Sequence, residues 1–222
     1  MELTAMKIEL KPELKISYPE IVFGSLIVKN VPNRKKHEAL EEWKREAEKK
    51  IREVYVDVDE DSMIQRYNAY FKRWGKTYPI EFQIKTVKGG SKFPQVSVLV
   101  DSMFVAELRN RILTSGHDLD AIQGDLTFDV SEEGERYLML NGKEQELKEN
   151  DVILRDEEGI LGSILYGPAK RTSITLGTRN ALYFAWCPYG MGDELIKVHL
   201  NDILSNLRTV SESVASGIQI HR

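Results

Sequence analysis

Apolar positions recur along the chain with two different periods. Residues 5 to 11 and 21 to 29 are short apolar runs, and the second, IVFGSLIVK, is nearly continuous, as expected of a central strand. Pro12, Pro19 and Pro32 punctuate this region. From Arg34 to Val54 the period becomes helical, with Ala39, Leu40, Trp43, Ala47 and Ile51 forming a stripe through dense Lys, Arg and Glu. The charges there alternate in sign, which marks a solvated face rather than a binding stripe. The acids Asp57, Asp59, Glu60 and Asp61 follow. Asp59 or Asp61 suits the N-cap of a helix running through Met63, Tyr67, Tyr70, Phe71 and Trp74, closed by Gly75, with its aromatic residues and Tyr78 in the core. Residues 79 to 88 read as a short helix or strand that Pro79 opens and Gly89 and Gly90 end. After Pro94, the spacing of Leu99, Met103, Ala106, Leu108 and Leu113 predicts a buried helix that delivers the chain to His117.

From Asp118 onward the texture is that of short strands and turns. DLTFDV, RYLML, QEL, DVILRD, GILGSILY and SITL read as strands, and Asn141-Gly142 is the strongest hairpin signal in the chain. ALYFAWCPYG reads as helix or strand, stopped by Pro188 and Gly190. DELIKVHLNDILSNLRTVSESVAS reads as a final amphipathic helix. The sum is a mixed α/β (α+β) chain, a β-rich module with packed helices, in one domain over 1–222.

Composition narrows the function. The chain is 41% hydrophobic and 30% charged with a formal charge of −4, so any contact with nucleic acid has to be local. Cys187 is the single cysteine, which excludes an intrachain disulfide and a cysteine-based zinc site. The start, MELTAMKIELKPELK, lacks the apolar segment of a signal peptide, and no stretch approaches the ~20 apolar residues of a membrane span. The expectation is a cytoplasmic protein, with no membrane partner and no cofactor.

Candidate chemistry centres on Gly116-His117-Asp118-Leu119-Asp120, an imidazole between a glycine and two carboxylates. On one reading, Asp118 and Asp120 fix the histidine tautomer, and a helix start near Asp118 offers donors to a developing oxyanion, a site suited to ester hydrolysis. The other reading is a surface loop with a helix-capping aspartate. His37 and His199 read as solvated or structural, and Cys187 as a buried thiol. The chain has no P-loop, nucleophile elbow or dinucleotide fingerprint. The acids at 57–61 lack the glycine of a calcium loop, and no metal site is expected.

The order of several short signals carries a resemblance. Pro94-x-Val96 with Val100-Asp101, then Gly116 to Asp120, Gly124-Asp125, Gly134-Glu135, Leu140-Asn141-Gly142, Asp151-Val152-Ile153, Gly167 and Thr178-x-Asn180 together resemble the editing module (B3/B4 domain) of the phenylalanyl-tRNA synthetase beta subunit, in its free-standing form. The likeness covers about 80–190, with 1–79 and 191–222 flanking it. It implies an α/β unit that hydrolyses the ester of a mischarged tRNA in trans. The resemblance matches His117 to the family's loop histidine and Gly162 to Gly167, with Ser163, to its glycine segment; the site expected on this reading has His117 and Asp120 as catalytic residues, and Gly116, Asp118, Ser163, Gly167, Thr178, Asn180 and Phe184 around the substrate. The expected partner is tRNA, with Lys170 and Arg171 on its phosphates.

The sequence departs from that family where it has a glutamate after Thr-x-Asn, since none of Leu182, Tyr183, Phe184 and Ala185 is acidic. Phe104 and Glu107 replace an asparagine and a serine. A pocket that has lost a hydroxyl-binding carboxylate is expected to prefer an apolar or small amino acid. The alternatives are a non-catalytic module binding RNA or an amino acid, and a metal-dependent hydrolase using the 57–61 acids or Asp118, Asp120 and Asp125.

Overall fold

The computed structural model describes residues 6–53, 58 and 60–222. The first apolar run gives the short strand β1 (Ile8–Leu10), and Pro12 opens α1 (Pro12–Ser17), a helix the apolar pattern did not signal. β2 (Val22–Lys29) leads to the charged helix α2 (Glu38–Glu53). The predicted helix end at Val54 and the acids Asp57 and Asp59 lie outside the described residues. Asp61 caps α3 (Ser62–Phe71), its Oδ1 accepting from the Met63 and Ile64 N–H groups at 2.9 and 3.1 Å. Gly75, at φ 65°, ends the turn that follows. The ambiguous 79–88 segment is a helix, α4 (Pro79–Lys88), and Ser97 caps α5 (Val98–Asn110).

Next come β3 (Thr114–Asp118), β4 (Leu126–Val130), β5 (Arg136–Leu138), β6 (Glu144–Glu146), β7 (Val152–Asp156), β8 (Gly159–Ser163), β9 (Gly167–Pro168) and β10 (Ala181–Cys187). The chain then forms α6 (Asp193–Arg208) and β11 (Ala215–His221). SITL is a turn rather than a strand, because Thr175 and Thr178 satisfy it locally: Thr178 Oγ1 accepts from Thr175 N–H at 3.0 Å, and Thr175 Oγ1 from Gly177 N–H at 3.2 Å. The last helix stops at Arg208 rather than running on to residue 216, with Thr209 Oγ1 donating back to the Asn206 carbonyl at 2.6 Å.

Two sheets carry the fold. An antiparallel one has the order β11-β2-β10-β3, and a mixed one the order β1-β4-β7-β8-β9, in which only β1 and β4 run parallel. β10 is apolar at every position because both of its faces are covered. Leu182, Phe184 and Trp186 pack toward Leu126, Phe128 and Leu154 of the mixed sheet, while Ala181, Tyr183 and Ala185 lie under α5 and α6. Phe23 stacks on Phe128 with ring centroids 3.6 Å apart, joining the two sheets at the centre of that core. β3 is a terminal strand of the antiparallel sheet, so one row of its backbone groups faces away from β10.

Candidate functional site

The outward row of β3 is where a site becomes possible. Leu119 N–H bonds Asn180 O and Trp186 N–H bonds Leu113 O, so odd-numbered residues turn their polar groups toward β10 and even-numbered ones turn outward. The outward Thr114 N–H is capped by Glu107 Oε1 at 2.7 Å, and the outward Asp118 N–H by the Thr172 carbonyl at 2.8 Å. Gly116 lies between them, and its N–H has no partner among the described residues. It faces a cavity of about 420 Å³ bounded by α4, α5, the 164–168 loop and Ile174. Glycine suits this point, since a Cβ on Gly116 would stand 2.9 Å from Ile174 Cδ1 and 3.2 Å from the Tyr183 ring.

Ser115 and Gly116 line this cavity, and His117 stands behind them. His117 Nε2 is 3.0 Å from Ser115 Oγ, and Nδ1 is 3.0 Å from Thr172 Oγ1. The Trp186 indole N–H donates to Ser115 Oγ at 2.9 Å. The imidazole is fully buried, and burial pushes its pKa down to about 4; Arg171 adds to the effect and Asp156 opposes it. His117 is therefore neutral at neutral pH, with both nitrogens held by hydroxyls.

This corrects the expected local geometry. The Gly116–Asp118 segment is a strand rather than a loop, and neither aspartate orients His117. Asp118 Oδ2 accepts from Thr178 Oγ1 at 2.6 Å, and both Asp120 carboxylate oxygens accept from Asn180 Nδ2 at 3.0 and 2.9 Å. Asp118, Asp120, Thr178 and Asn180 thus form one hydrogen-bonded cluster that pins the 175–180 turn to the end of β3. No α-helix starts at Asp118 either, only the three-residue 3-10 turn Leu119–Ala121.

Gly167 lines the cavity, in a left-handed conformation at φ 80°. Ser163 and Phe184 do not line it. Ser163 Oγ accepts from Tyr166 N–H at 3.0 Å within the chain, and Phe184 sits edge-on to Phe128 at 5.1 Å in the core. Lys170 and Arg171 are both exposed, and the Arg171 guanidinium is engaged by Asp156, Glu158 and the Gly159 carbonyl. Lys76 Nζ, 4.3 Å from the centre of the cavity-lining Tyr166 ring, is a cation at the site that the sequence pattern did not single out. Ser115 and Gln83 also line the cavity without having been foreseen. Two-residue alternation from His117 was the signal available for Ser115.

Glu107 lies on the α5 wall of the cavity and is almost completely buried. Burial raises its pKa to about 8 against the opposing hydrogen bond from Thr114 N–H, so it is largely protonated at neutral pH. Among the described residues no group of three or more His, Cys, Asp or Glu is placed to hold a metal, and no helix is long and apolar enough to cross a membrane.

The chain thus has a mixed α+β fold with a partly open cavity at the free edge of one sheet. Residues 77–187, half of the chain, match the B3/4 domain family, and the chain belongs to that family. It is also similar to an N-terminal fragment of the phenylalanyl-tRNA synthetase beta-subunit from Pyrococcus horikoshii, at a TM-score of 0.52 and 16% identity, over 97% of this chain and 50% of that one. At that identity the likeness shows the fold alone, and the chain spans about half the length of that fragment. No curated protein matches the chain.

Proposed function

We propose that the chain hydrolyses the ester of a mischarged aminoacyl-tRNA in trans. The observation that carries this reading is the uncapped Gly116 N–H, held on a rigid strand between two capped neighbours and directed into the cavity. An aminoacyl ester is already activated, so one preorganised donor to its carbonyl oxygen and a positioned water suffice for substantial acceleration without a nucleophilic side chain. Ser115, the preceding residue, also lines the cavity, and its hydroxyl is the group suited to orient the water. His117 serves as a positioning residue that fixes the Ser115 rotamer through its 3.0 Å contact. Lys76, together with the exposed Lys170, is suited to meet the phosphates of the tRNA end.

The test is deacylation of a panel of correctly and incorrectly charged tRNAs by the parent, Ser115→Ala and His117→Ala. We expect one amino acid to be released by the parent and release to fall about 10- to 1,000-fold in both variants, the range for losing positioning or one transition-state contact. A parent inactive on the whole panel while still binding tRNA would establish the second reading, a non-catalytic binding module. The complete enclosure of the imidazole favours that alternative.

A further inference from the structure

His117 lies between two hydroxyls, so the position of its ring proton decides what each of them can donate. Its Nδ1 is 3.0 Å from Thr172 Oγ1 and its Nε2 is 3.0 Å from Ser115 Oγ, which also accepts from the Trp186 indole N–H at 2.9 Å. His117 and Thr172 are completely buried, and Thr172 Oγ1 has no other partner among the described residues. Burial keeps the imidazole neutral at neutral pH, so one ring nitrogen carries a proton and the other a lone pair.

The two placements of that proton are not equivalent. With the proton on Nδ1, the ring donates to Thr172 and Ser115 donates to Nε2, which leaves the Thr172 proton without an acceptor in a sealed site. A buried donor without a partner is costly. With the proton on Nε2, the Thr172 hydroxyl donates to Nδ1 and Nε2–H donates to Ser115 Oγ, and every fully buried donor of the set is satisfied. Ser115 Oγ then accepts from both the indole and the imidazole, which fills the lone pairs of a hydroxyl. Only its own proton remains, and Ser115 is a residue that lines the cavity.

We propose that Thr172 is a positioning residue: its hydroxyl donates to His117 Nδ1, holds the imidazole as the Nε2–H tautomer, and thereby leaves Ser115 to act toward the cavity as a hydrogen-bond donor. This deepens the ester-hydrolysis reading, on which its catalytic meaning rests. Ser115 and Gly116 bring donors from consecutive residues to one end of the cavity, and what they hold there presents an oxygen lone pair. A water bound to Ser115 accepts its proton, and a carboxylate that enters takes the place of that water. In the opposite tautomer Ser115 would offer a lone pair instead, and the same end of the cavity would favour a ligand that donates.

The tautomer is read from two-bond proton–nitrogen correlation spectra of the nitrogen-15-labelled protein at neutral pH, the His117 pattern being the one lost in His117→Gln. The parent should show His117 protonated at Nε2 with a bare Nδ1. Thr172→Val removes the donor and should move the Nδ1 resonance downfield, and Thr172→Ser, which keeps the hydroxyl, should return it. Isovalerate and isopentylamine, followed by backbone amide shifts, probe the cavity end. The parent should favour isovalerate, Ser115→Ala should weaken that binding by about ten- to a hundredfold and Thr172→Val by a smaller factor, and Thr172→Ser should restore it. His117 protonated at Nδ1 in the parent, an Nδ1 resonance unmoved in Thr172→Val, the amine binding as tightly as the carboxylate, or neither binding would overturn the assignment. The parent spectrum requires no Thr172 variant, so a Thr172→Val protein that fails to fold leaves the assignment open to refutation. Release of an amino acid by a parent with His117 protonated at Nδ1 would keep the hydrolase and discard the role of Thr172. The Nε2–H spectrum in a parent that releases none would do the reverse.

Discussion

His199 is sealed between α6 and the start of β3, with Thr114 Oγ1 2.7 Å from Nε2 and Asn110 Nδ2 3.3 Å from Nδ1. Burial lowers its pKa to about 3. The unfolded chain takes up a proton near the ordinary histidine pKa of ~6.5, while the folded chain resists it until far lower pH. Stability from this group is therefore complete above pH ~6.5 and falls as the pH drops below it, by about 1.4 kcal/mol per pH unit. His117 acts in the same direction down to about pH 4. Glu107 and Asp151 act in the opposite direction: burial raises their pKa values to about 8 and about 7, so acidification through that range relieves a penalty on the folded state. His199→Gln, compared with the parent by urea denaturation at pH 7 and pH 5, should lose less stability on acidification by about one proton's worth of slope. Identical slopes would mean that His199 takes up its proton within the fold.

Among the elements, β2 shows how closely a strand and a helix are fitted. Gly24 faces α6, and a Cβ there would overlap Ile196 Cγ2 and come within 2.9 Å of Leu200 Cδ1. Gly24→Ala should cost about 1–3 kcal/mol by overpacking, read as a lowered melting temperature, and an unchanged one would show that α6 can shift outward freely. α2 and α3 were legible in the sequence because their buried faces repeat at helical intervals, and β2 and α5 because their apolar runs are dense enough to mark elements covered on more than one face. α1 spans only one and a half turns and β11 has alternation diluted by Ser216 and Gly217, so neither announces itself. The site was legible in part. Gly116 and Gly167 line the cavity, but the partners of His117 were misassigned because residues adjacent in sequence on a strand point to opposite faces. The Ser115 contact and the distant Thr172 replace the expected aspartates. Glu107 stands out in the sequence as a departure from the family it resembles, but its burial against Thr114 N–H depends on which elements α5 faces.

At the scale of the whole molecule, the last strand protects the first long one. β11 pairs with β2 along its length, from Ala215–Lys29 to His221–Phe23, and Ser25 Oγ lies 2.8 Å from His221 Nε2. A chain shortened to end at Val210 would present β2 as a long apolar edge and should self-associate, seen as a rise in light scattering and an earlier elution from a sizing column. A shortened chain that stays monodisperse and melts like the parent would refute this. The covering of β10 on both faces has a further, practical consequence. Its Cys187 thiol is buried, with a pKa pushed up to about 12 by burial, and so is almost never a thiolate at neutral pH. The native protein is thus chemically silent toward maleimides, and a cysteine introduced at the exposed Leu140 beside the cavity would be its sole labelling point, where a dye could report each filling of the pocket.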